Sequence, residues 1–107
     1  MKGDRIGEFE ELTLLAVLAL GEPAYAVPVQ RFIEKQAERP VSMGAVYAAL
    51  GRLESKGLLE STVGEATPQR GGKRKRLYEI TADGKQAIEE LRRVREQIWR
   101  AIEGRGK

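Results

Sequence analysis

The amino-acid sequence predicts a mainly α fold with one small β-hairpin, and three observations predict it. Three short stretches space their apolar residues helically and end at glycine or proline: Gly7–Leu20, Tyr25–Ala37 and a third opened by Ser42. Two segments then alternate like half-exposed strands, Leu58–Val63 and Arg76–Thr81, across a turn-rich connection. One long helical run follows, from Ala82 to about Glu103.

Met1–Ile6 reads as a tail. The first helix carries Phe9, Leu12, Leu15, Ala16 and Ala19 on one side and Leu14, Val17 and Leu18 on another. It is apolar nearly all round after its first turn, so neighbours are expected on more than one side. Glu8, Glu10 and Glu11 stand where the helix dipole favours negative charge, and Gly21 with Pro23 stops the helix. The second helix presents Val29, Phe32, Ile33 and Ala37 on one face. Pro28 is tolerated in its first turn, and Glu38-Arg39-Pro40 closes it because the residue before proline avoids the helical region.

The third helix has both ends marked. Ser42 is an N-cap, and Gly57 suits the left-handed residue just past the C-terminus. Val46, Leu50 and Leu53 form its apolar stripe, opposite Met43, Gly44, Tyr47, Ala48, Gly51 and Arg52. That outer face is small, with one aromatic hydroxyl, one cation and no acid, which suits close approach to base edges in a DNA groove. Two short helices joined by a brief turn form a helix-turn-helix.

The hairpin connection, G-E-A-T-P-Q-R-G-G-K-R-K, carries Arg70, Lys73, Arg74 and Lys75, with Arg76 opening the next strand. Residues 67–80 hold five cations against one acid, whereas residues 1–66 hold seven against ten. Basicity so concentrated repels itself on a free surface, and phosphates relieve it. A hairpin with a basic, glycine-hinged tip after a helix-turn-helix is a wing. Thr81 caps the last helix, whose stripe of Ile88, Leu91, Val94, Ile98 and Ile102, flanked by Trp99, points to self-association. Arg92, Arg93, Arg95 and Arg100 alternate with Glu89, Glu90, Glu96 and Glu103 as solvated flanks or intersubunit pairs, and Gly104 ends the helix.

Composition excludes other classes. The chain has 107 residues, enough for one small domain, and its 41% hydrophobic and 33% charged content is that of a soluble globular chain. No apolar run is long enough to span a bilayer, and Met1–Glu11 is too polar for a signal peptide. Without cysteine there are no disulfides, which fits the cytoplasm. Without histidine or cysteine, zinc and haem sites are not expected, and the usual general base is missing. Gly71-Gly72-Lys73 lacks the strand before and helix after that a phosphate loop needs. Glu10-Glu11 and Glu89-Glu90 point about 100° apart on a helix and read as solvated faces. No enzyme, metal or cofactor is expected.

The order helix, helix-turn-helix, wing, long helix resembles the PadR family of transcriptional regulators, specifically its short-tailed members, from Leu12 to Ile102. The most specific parts are V-S-M-G-A-V-Y-A-A-L-G-R-L-E-S-K-G-L-L-E at 41–60 and G-G-K-R-K-R-L-Y-E-I-T-A-D-G at 71–84. Gly44, Tyr47, Leu50, Arg52, Leu53, Glu54, Gly57 and Leu58 meet the family's pattern in the first. Ala24 stands where the family commonly has glycine, Leu77 replaces the first of two tyrosines, and Gly51 replaces a larger polar residue.

The resemblance implies a winged helix-turn-helix over residues 7–81 and a C-terminal dimerisation helix over 82–104 packed on the same core. It implies a homodimer on a pseudo-palindromic operator in double-stranded DNA, most simply a repressor relieved by a small, often aromatic, effector. Ser42, Gly44, Tyr47 and Arg52 then face DNA, Met43 and Ala48 add apolar contact to thymine methyls, and Arg70, Lys73, Arg74 and Arg76 act from the wing. Ile88, Leu91, Val94, Ile98, Trp99 and Ile102 form the dimer interface, and Trp99 is the effector candidate. Simpler roles stand beside these: Tyr47 packing on the preceding helix, Arg52 paired with a carboxylate, Trp99 in the interface only. A winged-helix protein–protein module without DNA binding is the competing class.

Overall fold

The computed structural model describes residues 5–21, 23–64 and 75–105. In order these form α1 (Glu8–Leu20), α2 (Ala26–Ala37), α3 (Met43–Ser55), β1 (Leu59–Val63), β2 (Arg76–Ile80) and α4 (Ala82–Arg105). The first three helices enclose a core in which Leu14, Val29, Val46, Leu50, Leu53 and Leu59 are fully buried. The mainly α fold with one antiparallel hairpin is as the sequence predicts.

Local chemistry sets the helix ends. Gly21 closes α1 in the left-handed region at φ 83°. Glu38 closes α2 at φ 56°, a conformation rare for a side-chain-bearing residue, and donates its N–H to Glu34 O at 2.8 Å. Ser42 Oγ accepts from Ala45 N at 3.0 Å and so caps α3. The turn between α2 and α3 is held by α2 side chains that periodicity did not reveal. Gln30 Nε2 donates to Val41 O at 2.8 Å, and Glu34 Oε2 accepts from Val41 N at 2.9 Å. These bonds fix the angle at which α3 leaves α2.

In the hairpin, Leu59 pairs with Ile80 and Val63 with Arg76. Ala24 adds a bridge to the outer side of β2, exchanging two 2.9 Å backbone bonds with Tyr78. Thr81 joins three elements. Its hydroxyl donates to Gly57 O at 2.7 Å and accepts from Gly84 N at 3.0 Å, while its own N–H donates to Leu58 O at 3.1 Å. The predicted cap of α4 is therefore also a bond to the turn that ends α3, where Gly57 lies at φ 78°.

α1 meets neighbours on more than one side, as expected, packing on α2, α3, β2 and α4 and burying Leu14, Ala16 and Val17, although Leu15 and Leu18 stay exposed. Two expectations need correction. α4 does not end at Gly104; it continues to Arg105, since one glycine costs a helix only about 1 kcal/mol and no proline follows. Ile88 is a core residue, not a surface one, because the first turns of α4 lie against the body of the domain. Leu91 is half-buried, and Val94, Ile98, Trp99 and Ile102 are exposed.

Gly84 is where α4 touches that body. A Cβ built there would stand 2.2 Å from Leu58 O and 2.7 Å from Ile80 Cγ1. The first is backbone and cannot swing aside. Gly84→Ala should therefore lower unfolding free energy by about 3 kcal/mol in urea melts. Gly51→Ala, where nothing lies within 4 Å of the added carbon, should hold or raise stability.

Candidate nucleic-acid interface

The outer face of α3 is open. Ser42, Gly44, Tyr47, Ala48 and Gly51 are exposed, whereas Met43 is half-buried against the core. Tyr47 is 55% exposed and shares a groove with Ala26 and Val27 of the preceding helix. No atom lies within 4 Å of a Cβ placed on Gly51, and only Ser42 Oγ, at 4.0 Å, meets one on Gly44. Neither glycine is required by packing inside the chain. Their effect is outward, leaving a smooth surface beside Tyr47.

Arg52 is committed within the chain, as its simpler reading had it. Its Nε lies 2.6 Å from Glu10 Oε2, while Lys56 Nζ lies 2.7 Å from Glu10 Oε1. Gly7 N donates to Oε1 at 3.2 Å, and Lys56 also donates to Arg5 O. Glu10 is buried, against the expectation of a solvated face. Burial alone would raise its pKa, but hydrogen bonds from Lys56, Arg52 and Gly7 outweigh it and hold the carboxyl at about 2. The Arg52 side chain remains 55% exposed, so its outer nitrogens still face water. Nothing in sequence distinguished Glu10 from Glu8 and Glu11, because its partners lie more than forty residues away.

On the other flank of α3, Arg76 Nη1 donates to Ser61 Oγ at 3.0 Å, and Ser61 Oγ donates to Glu54 Oε2 at 2.7 Å. This chain holds Arg76 beside the recognition face. Lys75 Nζ sits 4.9 Å from the centre of the Tyr25 ring. Tyr25, Ala26, Val27, Tyr47, Lys75, Arg76 and Tyr78 line a groove of about 310 Å3 that opens beside α3. Lys75 was expected among the wing cations, whereas Tyr25 and Tyr78 are interface candidates that sequence reasoning did not name. Arg70, Lys73 and Arg74, predicted at the wing tip, lie outside the described residues.

The far half of α4 is a separate surface. Trp99 is 60% exposed in line with Ile98 and Ile102. The charges beside it pair within the chain: Arg92 with Glu96, Arg93 with Glu90, and Arg95 with Glu11 of α1 through 2.5 and 3.0 Å bonds. An almost wholly apolar groove of about 260 Å3, lined by Leu12, Leu15, Phe32 and Ile33 among others, runs between α1 and α2. Among the described residues no acidic cluster could hold a metal ion, and no helix is long and apolar enough to cross a membrane.

The model of the PadR-like transcriptional regulator family matches residues 14–90. A PadR-like transcription factor from Bacteroides fragilis superposes with a TM-score of 0.76 at 26% identity, over 90% of this chain and 87% of that one. A PadR family regulator from Eggerthella lenta gives 0.71 at 24% identity, over 91% and 84%. A PadR-like regulator from Bacillus cereus gives 0.70 at 23% identity, over 90% and 88%. Comparison with curated proteins returned no match.

Glu10 gives this interface a measurable pH signature. Its folded pKa, about 2, lies below the ordinary 4.5, so its stabilisation is fully present above about 4.5 and lost as pH falls through about 2. Allowing for the water around Arg52, Glu10→Gln should cost on the order of 2 kcal/mol at neutral pH. Urea unfolding should show the gap to wild type closing on acidification; a gap that stays constant to pH 2 excludes a role for the charge.

Proposed function

Since the chain belongs to the PadR-like family of transcriptional regulators, we propose that it is a DNA-binding homodimeric repressor whose operator affinity a small aromatic molecule lowers. It is a regulator and not an enzyme. The observation that carries the DNA reading is the open face of α3, where Ser42, Gly44, Tyr47 and Ala48 stand exposed beside Lys75 and Arg76. Small residues let the helix backbone approach a major groove, and the flanking cations meet phosphates. On this reading Ser42, Tyr47 and Ala48 touch base edges, and Met43, half-buried against the core, backs them. Arg52, held by Glu10 at the flank, meets a phosphate through its outer nitrogens, and Arg70, Lys73, Arg74 and Arg76 follow the backbone.

The dimer reading rests on α4. Its 24 residues span roughly 36 Å, yet its buried residues, Gly84 and Ile88, lie in the first two turns. Val94, Ile98, Trp99 and Ile102 extend beyond as an uncovered apolar stripe, and a second copy covers it with the same stripe. Residues 7–81 then read DNA, while 82–104 join the protomers. An aromatic compound stacked on Trp99 between them would change their angle, and with it the spacing of the two recognition helices.

Two measurements test this. Binding to mixed genomic fragments should weaken steeply with salt, and Lys73→Ala/Arg74→Ala/Arg76→Ala should flatten the slope by about two to three. A stable dimer that binds no fragment at any salt would instead identify a protein-docking module. Ile98→Glu should sediment as a monomer, with Trp99 emission shifted to the red; an unchanged dimer places the interface elsewhere.

A further inference from the structure

The geometry points to a built phosphate site at the base of the groove between the N-terminus of α2 and β2, and the phosphate it fits is one of the DNA backbone. This rests on the DNA-binding reading above and names residues that it leaves out. α2 is twelve residues long and starts without a side-chain cap or an acid in its first turn. Pro28 removes one N–H from that turn, which leaves the amides of Ala26 and Val27, and both residues line the groove. Such an end carries partial positive charge and favours an anion.

A second observation, independent of the helix, lies opposite. Tyr78 also lines the groove and is only 5% exposed. Among the described residues its hydroxyl has no hydrogen-bond partner, although the other buried polar side chains, Glu10 and Thr13, do. Most of Tyr78 is buried, and what remains accessible lines the groove, where its hydroxyl is available, among the described residues, to donate to a ligand. Burial pushes its pKa up, so it stays protonated and available to donate. The two backbone bonds between Ala24 and Tyr78 hold that hydroxyl's strand beside the first turn of α2.

The remaining walls suit the same ligand. Lys75 and Arg76 supply two cations, Lys75 held over the Tyr25 ring, and no carboxylate is among the described lining residues, although Glu54 reaches Arg76 through Ser61. Tyr47 of α3 lines the same groove, so a duplex seated on α3 passes its backbone beside it. A cleft of about 310 Å3 admits a phosphodiester with its sugar, not only a free ion. DNA therefore explains it better than inorganic phosphate does.

Tyr78→Phe removes only the hydroxyl, and the test compares it with wild type. The variant should fold with an unchanged or higher midpoint of thermal unfolding, because it loses an unpaired polar group. Its affinity for a mixed-sequence duplex should fall about tenfold, the loss expected for one hydrogen bond to a charged group. In amide spectra, duplex should move the Ala26 and Val27 signals of the wild type, and those of the variant only at about tenfold higher duplex concentration. If the variant binds duplex as well as wild type, the site is overturned while DNA binding stands. If no duplex binds but inorganic phosphate moves those amides in wild type alone, the anion site stands and the DNA source falls. If neither ligand moves them, the site is overturned outright.

Discussion

The turn at Gly57–Leu58 is the constraint on which the rest of the chain depends. Gly57 takes the left-handed conformation that lets the backbone leave α3 and enter β1 within three residues. Once the turn is made, its carbonyls face the start of α4, where Thr81 donates to both and Gly84 offers no side chain against the second. One turn therefore orients the recognition helix, the hairpin and α4 together. None of these elements could be re-aimed alone: a tilt of α4 must break the bonds at Thr81 or carry the end of α3 with it. On the proposed reading, that coupling lets the DNA-facing surface sense how two long helices pack.

Glu10 does for the opposite side what Thr81 does for this one. Buried at the first turn of α1, it holds Arg52 and Lys56 at the C-terminal half of α3. Its charge is tolerable there because two cations and a backbone N–H compensate the lost water. α3 is thereby clamped from two directions, by Gln30 and Glu34 of α2 at its entrance and by Glu10 near its exit. Rigid presentation matters for a helix whose outer face is nearly bare. With few long side chains to adapt, its position must be set by its supports.

How much of this was legible in the sequence depended on whether a feature was local. Ser42, Gly57, Gly21 and the capping of α4 by Thr81 act within a few residues of where they stand and read directly from spacing, whereas the bonds from Thr81 to Gly57 and Leu58 did not. Strand pairing was legible because Leu59–Val63 and Arg76–Ile80 alternate and are joined by turn residues. Glu10 was misread because three acids in a first turn look alike until α3 is folded against them. Ile88 was misread because a continuous apolar stripe does not show where its cover changes from the same chain to open surface. Tyr78 was seen as one tyrosine of a wing strand; only the bridge to Ala24 brings it to the end of α2.

The bareness of α3 has a consequence for how the proposed DNA complex divides its labour. Bidentate base readers are long side chains such as Arg, Asn and Gln, and the exposed positions Gly44, Ala48 and Gly51 hold none. Affinity must then come mainly from phosphate contacts, for which Arg52, Lys75, Arg76 and the amides of Ala26 and Val27 stand on both sides of the helix. Those contacts fix register but carry no sequence information themselves. Discrimination falls to Ser42, Tyr47 and the methyl of Ala48, together with the cost of bending DNA so that both flanks are met at once. A rigid α3 makes that cost strict. A flexible one would follow the DNA and lose what little selectivity so small a face can supply.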